Sequence, residues 1–138
     1  FVWGLDVSGS LQGAGGVGGL LATQVVRADL DARLPMAIGH YNPCYDGNGN
    51  ILAYVDAQGE IAAAFEYAAF GEPTRAEGYA TDVLPIRFST KYEDAETGLV
   101  SYIYRYLSPR LGRWVSSRGL VFVRGIVRGI LKPGWRLG

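Results

Sequence analysis

The chain has 138 residues, about half of them apolar, which is enough to bury the core of one ordinary domain. Its 20 glycines and 9 tyrosines favour short strands joined by tight turns over long helices. The formal charge is zero but unevenly spread: residues 1–96 hold all 13 acidic and 5 basic residues, net −8.

Residues 97–138 hold the remaining basic residues, so the acidic and basic halves are separate. An arbitrary cut through a larger protein explains this better than an acidic body with a basic tail. The first residue is Phe1 rather than Met, which points the same way. Cys44 is the only cysteine, so no intramolecular disulfide is expected. His40 is the only histidine, and a His40–Cys44 nucleophile pair lacks a third orienting group. No run reaches the roughly 20 apolar residues of a membrane helix. No basic start followed by an apolar middle marks a signal peptide in this stretch.

In chain order, residues 1–7 (FVWGLDV) predict a strand, and residues 8–19 (SGSLQGAGGVGG) a flexible glycine-rich loop. A phosphate-binding loop would need Gly-Lys-Ser/Thr before a helix, and no Lys follows here. Residues 20–26 (LLATQVV) predict another strand. From Tyr41 the turn signals become regular. A turn at Asp46-Gly47-Asn48-Gly49-Asn50 precedes a strand over Ile51–Ala57. A second turn at Asp56–Glu60 precedes a strand over Ile61–Phe70. Asp and Asn bond to their own turn, and Gly takes positive φ at no steric cost. The spacing of about ten residues suits a meander of hairpins. Ala62, Ala63 and Ala64 favour helix by propensity, but the alternation around Phe65 and Tyr67 predicts strand.

Val100–Leu107 (VSYIYRYL) alternates most clearly and predicts one strand with Tyr102, Tyr104 and Tyr106 on a single face. Such a face is a cross-strand ladder more often than a platform for sugars or bases. Asp94 and Glu96 could be a carboxylate pair, although turn capping is the commoner job. Trp114, after the turn glycine Gly112, is expected to be a core plug, with the neighbouring Arg113 stacked on an aromatic ring or paired with a carboxylate. No cofactor fingerprint or metal-ligand cluster stands out, so the expectation is neither cofactor nor metal.

These residues resemble a known family. Tyr45-Asp46 followed by Gly-Asn-Gly-Asn resembles the YD repeat of Rhs proteins, and Glu66-Tyr67 with Phe70-Gly71 resembles the next unit. There Ala68 and Ala69 stand in place of the family's Asp-Pro. The longer match is Arg87–Arg118, which resembles the RHS repeat-associated core segment. It shares Arg87-Phe88, Lys91-Tyr92, Glu96-Thr97-Gly98-Leu99, Tyr102, Tyr104-Arg105-Tyr106, Pro109 and Leu111-Gly112-Arg113-Trp114. The opening stretch resembles a linker that precedes this segment in the family, so the resemblance covers about residues 1–118.

The resemblance implies a mainly β, antiparallel meander of seven to ten strands, part of a coiled YD-repeat shell around a C-terminal toxin. It divides the chain into a glycine-rich linker with leading strands (1–40), YD-repeat-like hairpins (41–86), the core segment (87–118) and a divergent basic tail (119–138). It implies a structural, non-catalytic piece of a bacterial polymorphic toxin, secreted or at the cell surface. The partners it implies are other shell repeats and the enclosed toxin segment, with an immunity protein or secretion machinery beyond them, and no nucleic acid. Many members cleave themselves just past the core with paired aspartates. No Asp follows Asp94 here, and two carboxylates must share a proton for that chemistry, so no self-cleavage is expected. The alternative is a cell-surface interaction module that binds carbohydrate or protein through its tyrosine-rich sheet. The tail has three competing explanations: the degraded end of a displaced cassette, a variable junction, or a basic segment that touches membranes.

Overall fold

The computed structural model describes residues 1–26, 37–102 and 104–115. The tail from residue 119, with its Arg124 and Arg128, lies outside the described residues.

The described residues form ten strands. β1 is Val2–Trp3, β2 Leu20–Val25, β3 Gly39–Tyr45, β4 Ile51–Asp56, β5 Ile61–Tyr67 and β6 Pro73–Glu77. β7 is Tyr92–Glu93, β8 Val100–Tyr102, β9 Arg105–Ser108 and β10 Arg113–Val115. The first six form one sheet in sequence order, and the last four form a second, also in sequence order. Every pairing is antiparallel. The fold is therefore the expected mainly β meander. Single 3-10 turns lie at Thr81–Val83, Phe88–Thr90 and Pro109–Leu111. The expected boundary at residue 40/41 falls inside β3, so the leading strand β2 and the repeat hairpins share one sheet.

One five-residue turn recurs. In Asp46–Asn50, the amide of residue 49 donates to the carbonyl of residue 46, and the amide of 46 donates to the carbonyl of 50. Asp56–Glu60, Ala68–Glu72 and Asp6–Ser10 repeat both bonds, each with glycine in the fourth place. This is a tight turn followed by a left-handed residue that bulges the strand, a standard three-residue hairpin loop. In the first two turns the Asp carboxylate accepts from the amides two and four residues on.

One face of the large sheet is buried. Leu20, Tyr41, Ile51, Tyr54, Ala63 and Phe65 form a core with Ala80, Leu84 and Ile86 from the connection after β6. The buried Tyr54 hydroxyl donates to the Ile86 carbonyl at 2.8 Å, so the phenol needs no water.

Two sequence expectations fail here. Residues 1–7 are a strand only at Val2–Trp3. Asp6 accepts from Ser8, Ala14 and Gly16 and bends the chain into turns, so the segment expected to be a flexible loop is closed by a single side chain. The supposed single strand Val100–Leu107 is a hairpin: Tyr102 pairs with Arg105, Ser101 with Tyr106, and Val100 with Leu107. No Gly, Asn, Asp or Pro marks the reversal, which is why the alternation reads as one strand. The hairpin gains the Val100–Leu107 pairing and places Tyr102 and Arg105 beside Trp114 on the adjacent strand.

Candidate functional site

Of the residues expected to carry the structure, Tyr45, Asp46, Gly49, Tyr67, Gly71 and Tyr92 lie around a seam. There residues 87–92 tie the N-terminal turns to the hairpins. Gly98, Tyr102, Tyr104, Arg105, Tyr106, Gly112, Arg113 and Trp114 lie in the small sheet and its turns.

Tyr45 and Tyr67 occupy equivalent places. Each ends its hairpin's second strand and donates its hydroxyl to the carbonyl of the first residue of that hairpin. The partners are Leu20 for Tyr45 and Ile51 for Tyr67, both at 2.6 Å. Burial raises the pKa of both phenols, that of Tyr45 to about 12, so both stay neutral donors. Asp46 caps its own turn. Burial works against its charge, but bonds from the Asn50 side chain and the Asn50 and Asn48 amides outweigh that and lower its pKa.

Two glycines are needed for close approach. Gly49 has φ +78°, and a Cβ there would lie 2.4 Å from Val17 and 3.1 Å from the Gly18 amide. Gly71 has φ +86°, and a Cβ there would cut into the Phe88 ring at 2.5 Å. The repeat turns are thus the floor on which the N-terminal segment and the core segment rest. Gly98 and Gly112 end the later turns with positive φ.

The core segment supplies the ties. Thr90 is buried, and its hydroxyl donates to the Gly49 carbonyl and accepts from the Gly18 amide, both at 2.7 Å. Ser89 donates its amide to Asn50 Oδ1 at 2.8 Å. The Lys91 ammonium donates to the Gly15 carbonyl. Arg87–Lys91 repeats the bonding of the hairpin turns, but Thr90, at φ +54°, takes the glycine's place. A β-branched residue in left-handed backbone is strained, and here the strain positions the bridging hydroxyl.

Arg87 is the hub beneath. Its guanidinium donates to the carbonyls of Thr81 and Leu84, pairs with Glu93 Oε1 at 3.2 Å, and lies 4.7 Å over the Phe65 ring. Both side chains are nearly out of water, at 12% and 8% exposure. Burial raises the pKa of Glu93 and Arg87 opposes the rise, while Oε2 has no protein partner among the described residues. Tyr92, half-buried, pairs with Ser101 and bridges Ile86.

The aromatic residues further on differ from expectation. The three tyrosines do not share a face. Tyr102 stands edge-on to Trp114 at 4.8 Å, Tyr106 pairs from the opposite side of the sheet, and Tyr104 sits at the hairpin tip, 89% exposed. Trp114 is no core plug: it is 42% exposed. The cation stacked on it is Arg105, at 4.3 Å, rather than Arg113, which is exposed. In a four-stranded sheet built from strands of two to four residues, the plane carrying Trp114 stays partly open. Asp94 caps its own turn, accepting from the Glu96 amide and the Thr97 hydroxyl. His40 and Cys44 are both exposed, and His40 lies 3.4 Å from Gln24. Among the described residues no cluster of three or more His, Cys, Asp or Glu could hold a metal ion.

Asp6, Thr90, Arg87 and Glu93 were missed as a group. One signal was available for Asp6: Asp6-x-x-Gly9 has the spacing of Asp46-x-x-Gly49 and Asp56-x-x-Gly59. Thr90 carries no such sign, because its partners Gly49 and Gly18 are 41 and 72 residues away, and the partners of Arg87, Leu84, Thr81 and Glu93, are near in sequence but follow no recognisable spacing.

No protein-family model matches the chain. Over 75 residues, 52% of its length, it is 36% identical to the tRNA nuclease WapA of Bacillus subtilis strain 168. It is 35% identical over 75 residues to the tRNA(Glu)-specific nuclease WapA of Bacillus subtilis subsp. natto. Among solved structures, a TcdB2-TccC3-TEV crystal structure matches 69% of the chain at 28% identity, with a TM-score of 0.54. The Tc holotoxin pore of Photorhabdus luminescens matches 66% at 30% identity, with a TM-score of 0.55. The chain is similar to a short stretch of much larger proteins. It spans 3% of the WapA proteins and 4% of the Tc chains it matches. These likenesses support the Rhs-like resemblance in its coarse form, a toxin-associated β segment.

Proposed function

We propose that the chain is a structural, non-catalytic segment of an Rhs-type toxin shell, in which residues 87–115 clasp the end of a repeat sheet. The observation that carries this is the Thr90 bridge. A single buried hydroxyl joins the N-terminal turns at Gly18 to the repeat hairpin at Gly49. The polar groups of the seam support it, since they are engaged in holding backbone: both repeat tyrosines, Asp46 and Arg87 donate to or accept from main chain. A catalytic constellation would instead leave a nucleophile and base facing a common open position.

On this reading the repeat-like hairpins (41–86) form wall, the core segment (87–118) closes it, and neighbouring repeats of the parent protein extend it. An enclosed C-terminal toxin segment, secretion or surface delivery, and an immunity protein or secretion machinery as further partners belong to the same proposal. So does the absence of self-cleavage.

The test is a chimera in which this chain replaces the matching 75-residue stretch of Bacillus subtilis WapA. A shell role predicts a protease-resistant chimera that retains the parent's tRNA cleavage, because on this reading the exchanged stretch contributes no catalytic residue. A folded chimera that has lost tRNA cleavage overturns the non-catalytic reading, as does release of a C-terminal fragment by the purified chain alone.

A further inference from the structure

Asn48 is exposed and stands directly before Gly49, in the turn that the Thr90 hydroxyl holds. We propose that Asn48–Gly49 is a self-modification site, closed while Thr90 is bonded to Gly49 and reactive when that bond opens, and that the modified turn no longer accepts the Thr90 bridge. The inference rests on the bridge itself and stands with or without a shell role.

The step is an intramolecular displacement followed by hydrolysis. The Gly49 nitrogen attacks Asn48 Cγ, and a C–N bond forms. The Cγ–Nδ2 bond breaks, and ammonia leaves with the Gly49 proton. Water then opens the cyclic imide at either carbonyl. Opening at the side-chain carbonyl gives aspartate. Opening at the main-chain carbonyl gives isoaspartate, whose backbone runs through Cβ and Cγ and is longer by a methylene.

The chain has asparagine at 42, 48 and 50, and the three differ in what stands against this chemistry. Asn42 precedes Pro43, whose nitrogen has no proton. Asn50 precedes the β-branched Ile51, whose amide donates to the Arg87 carbonyl at 3.2 Å, and its side chain is pinned by Asp46 and Ser89. Asn48 precedes a glycine, so no side chain shields the attacking nitrogen.

The fold supplies the restraint. Gly49 is buried, and its amide donates to the Asp46 carbonyl at 3.2 Å. Its carbonyl accepts from Thr90 at 2.7 Å, and the Asn48 amide donates to Asp46 Oδ1 at 2.8 Å. The nitrogen that must attack is thus bonded elsewhere, and the peptides on both sides of it are held. Attack needs the turn to open. The same fit bars the product. A Cβ on Gly49 would lie 2.4 Å from Val17 and 3.1 Å from the Gly18 amide, so a lengthened backbone has no room to settle there. Thr90 Oγ1 reaches both Gly18 and Gly49 at 2.7 Å, and a displaced Gly49 loses that bridge.

The experiment incubates the 138-residue chain in mildly alkaline buffer, with and without urea. Each asparagine is followed by peptide mass spectrometry, and isoaspartate is identified by labelling with isoaspartyl methyltransferase. Asn48 should change from amide to acid well before Asn50 and Asn42. Urea should raise its rate at least about a hundredfold, because the folded turn must otherwise open first. Thr90→Val keeps the shape but removes the hydroxyl, and should raise the rate in buffer by about tenfold. Asn48→Gln, at an exposed position and with a side chain too long to close the same ring, should stay unmodified. Modified chain rich in isoaspartate, separated by ion exchange, should exchange its Gly18 amide proton faster than unmodified chain. Asn48→Asp, which carries the new charge on an ordinary backbone, should not.

The proposal is overturned if Asn48 reacts no faster than Asn50. It is overturned if urea or Thr90→Val leaves the Asn48 rate unchanged, which would make the turn an unguarded loop. A Thr90→Val rate equal to that in urea also overturns it, because unfolding of the whole chain would then be the gate. So does a modified chain that keeps its Gly18 amide protected, or an Asn48→Asp chain that loses protection equally, which would assign the effect to charge.

Discussion

At the scale of single residues, Asp6 and Trp114 reverse their sequence roles. Asp6, in a stretch expected to be strand, is 95% out of solvent and organises the glycine-rich turns. The Ser8 hydroxyl is the main cause of its lowered pKa; burial opposes it and the Gly16, Ser8 and Ala14 amides add to it, giving about 2 against an ordinary 3.8. A depressed carboxyl stabilises the fold above its unfolded value and stops doing so as pH falls through its folded value. Asp6→Asn should therefore flatten the loss of stability between pH 3.8 and about 2, read from urea midpoints across that range. Glu93, whose pKa is raised by burial, acts in the opposite sense, its contribution fading as pH climbs through the raised value. Trp114→Ala should cost about 1–2 kcal/mol in chemical denaturation, below the roughly 3–5 of a buried tryptophan, because the ring is half in water.

At the scale of elements, the hairpin turn is the repeated unit, and its copies differ in one informative place. Asp46 and Asp56 accept amides from their own turns, whereas Ala68 holds the same backbone bonds with no side-chain acceptor. Ala68→Asp should restore those acceptors and raise stability by about 1 kcal/mol, visible as a higher urea midpoint with unchanged slope. These turns were legible from the chain alone, since Asp, Asn and Gly act on the backbone within five residues. The β8–β9 reversal was not legible. Its turn carries no local marker, and the pairing that favours it, Trp114 with Leu107, joins strands through a further turn at Pro109–Leu111. Arg87 and Thr90 were equally hidden. Thr90 looks like a polar residue in an extended stretch until the backbone of Gly18 and Gly49 reaches it, and Arg87 until the chain around it folds the Thr81 and Leu84 carbonyls and Glu93 onto its guanidinium.

At the scale of the whole molecule, the large sheet ends in an open edge. All five residues of β6 are exposed, and among the described residues it pairs only with β5. Arg75 bridges Glu66 and Glu77 across and along that edge, at 3.1 and 2.6 Å, in positions about half exposed. Such surface pairs add little stability but make a bare edge a poor template for another strand. Arg75→Thr together with Glu77→Thr should leave monomer stability within about 0.5 kcal/mol and cause concentration-dependent self-association in sedimentation velocity.

Composition, turn spacing and alternation were sufficient for a mainly β antiparallel meander and for its repeated Asp–Gly turns, and the resemblance to the YD repeat singled out Tyr45 and Tyr67. Those features act through neighbours a few residues away, so they are written in local order. Tertiary structure alone decided that the core segment clasps Gly18 to Gly49, that Arg87 and Glu93 share a buried pocket, and that Trp114 lies under Arg105 at a partly open surface. The clasp depends on a side chain reaching backbone 41 and 72 residues away, and the other two on desolvation and on packing across strands. None of this exists until the sheets have formed.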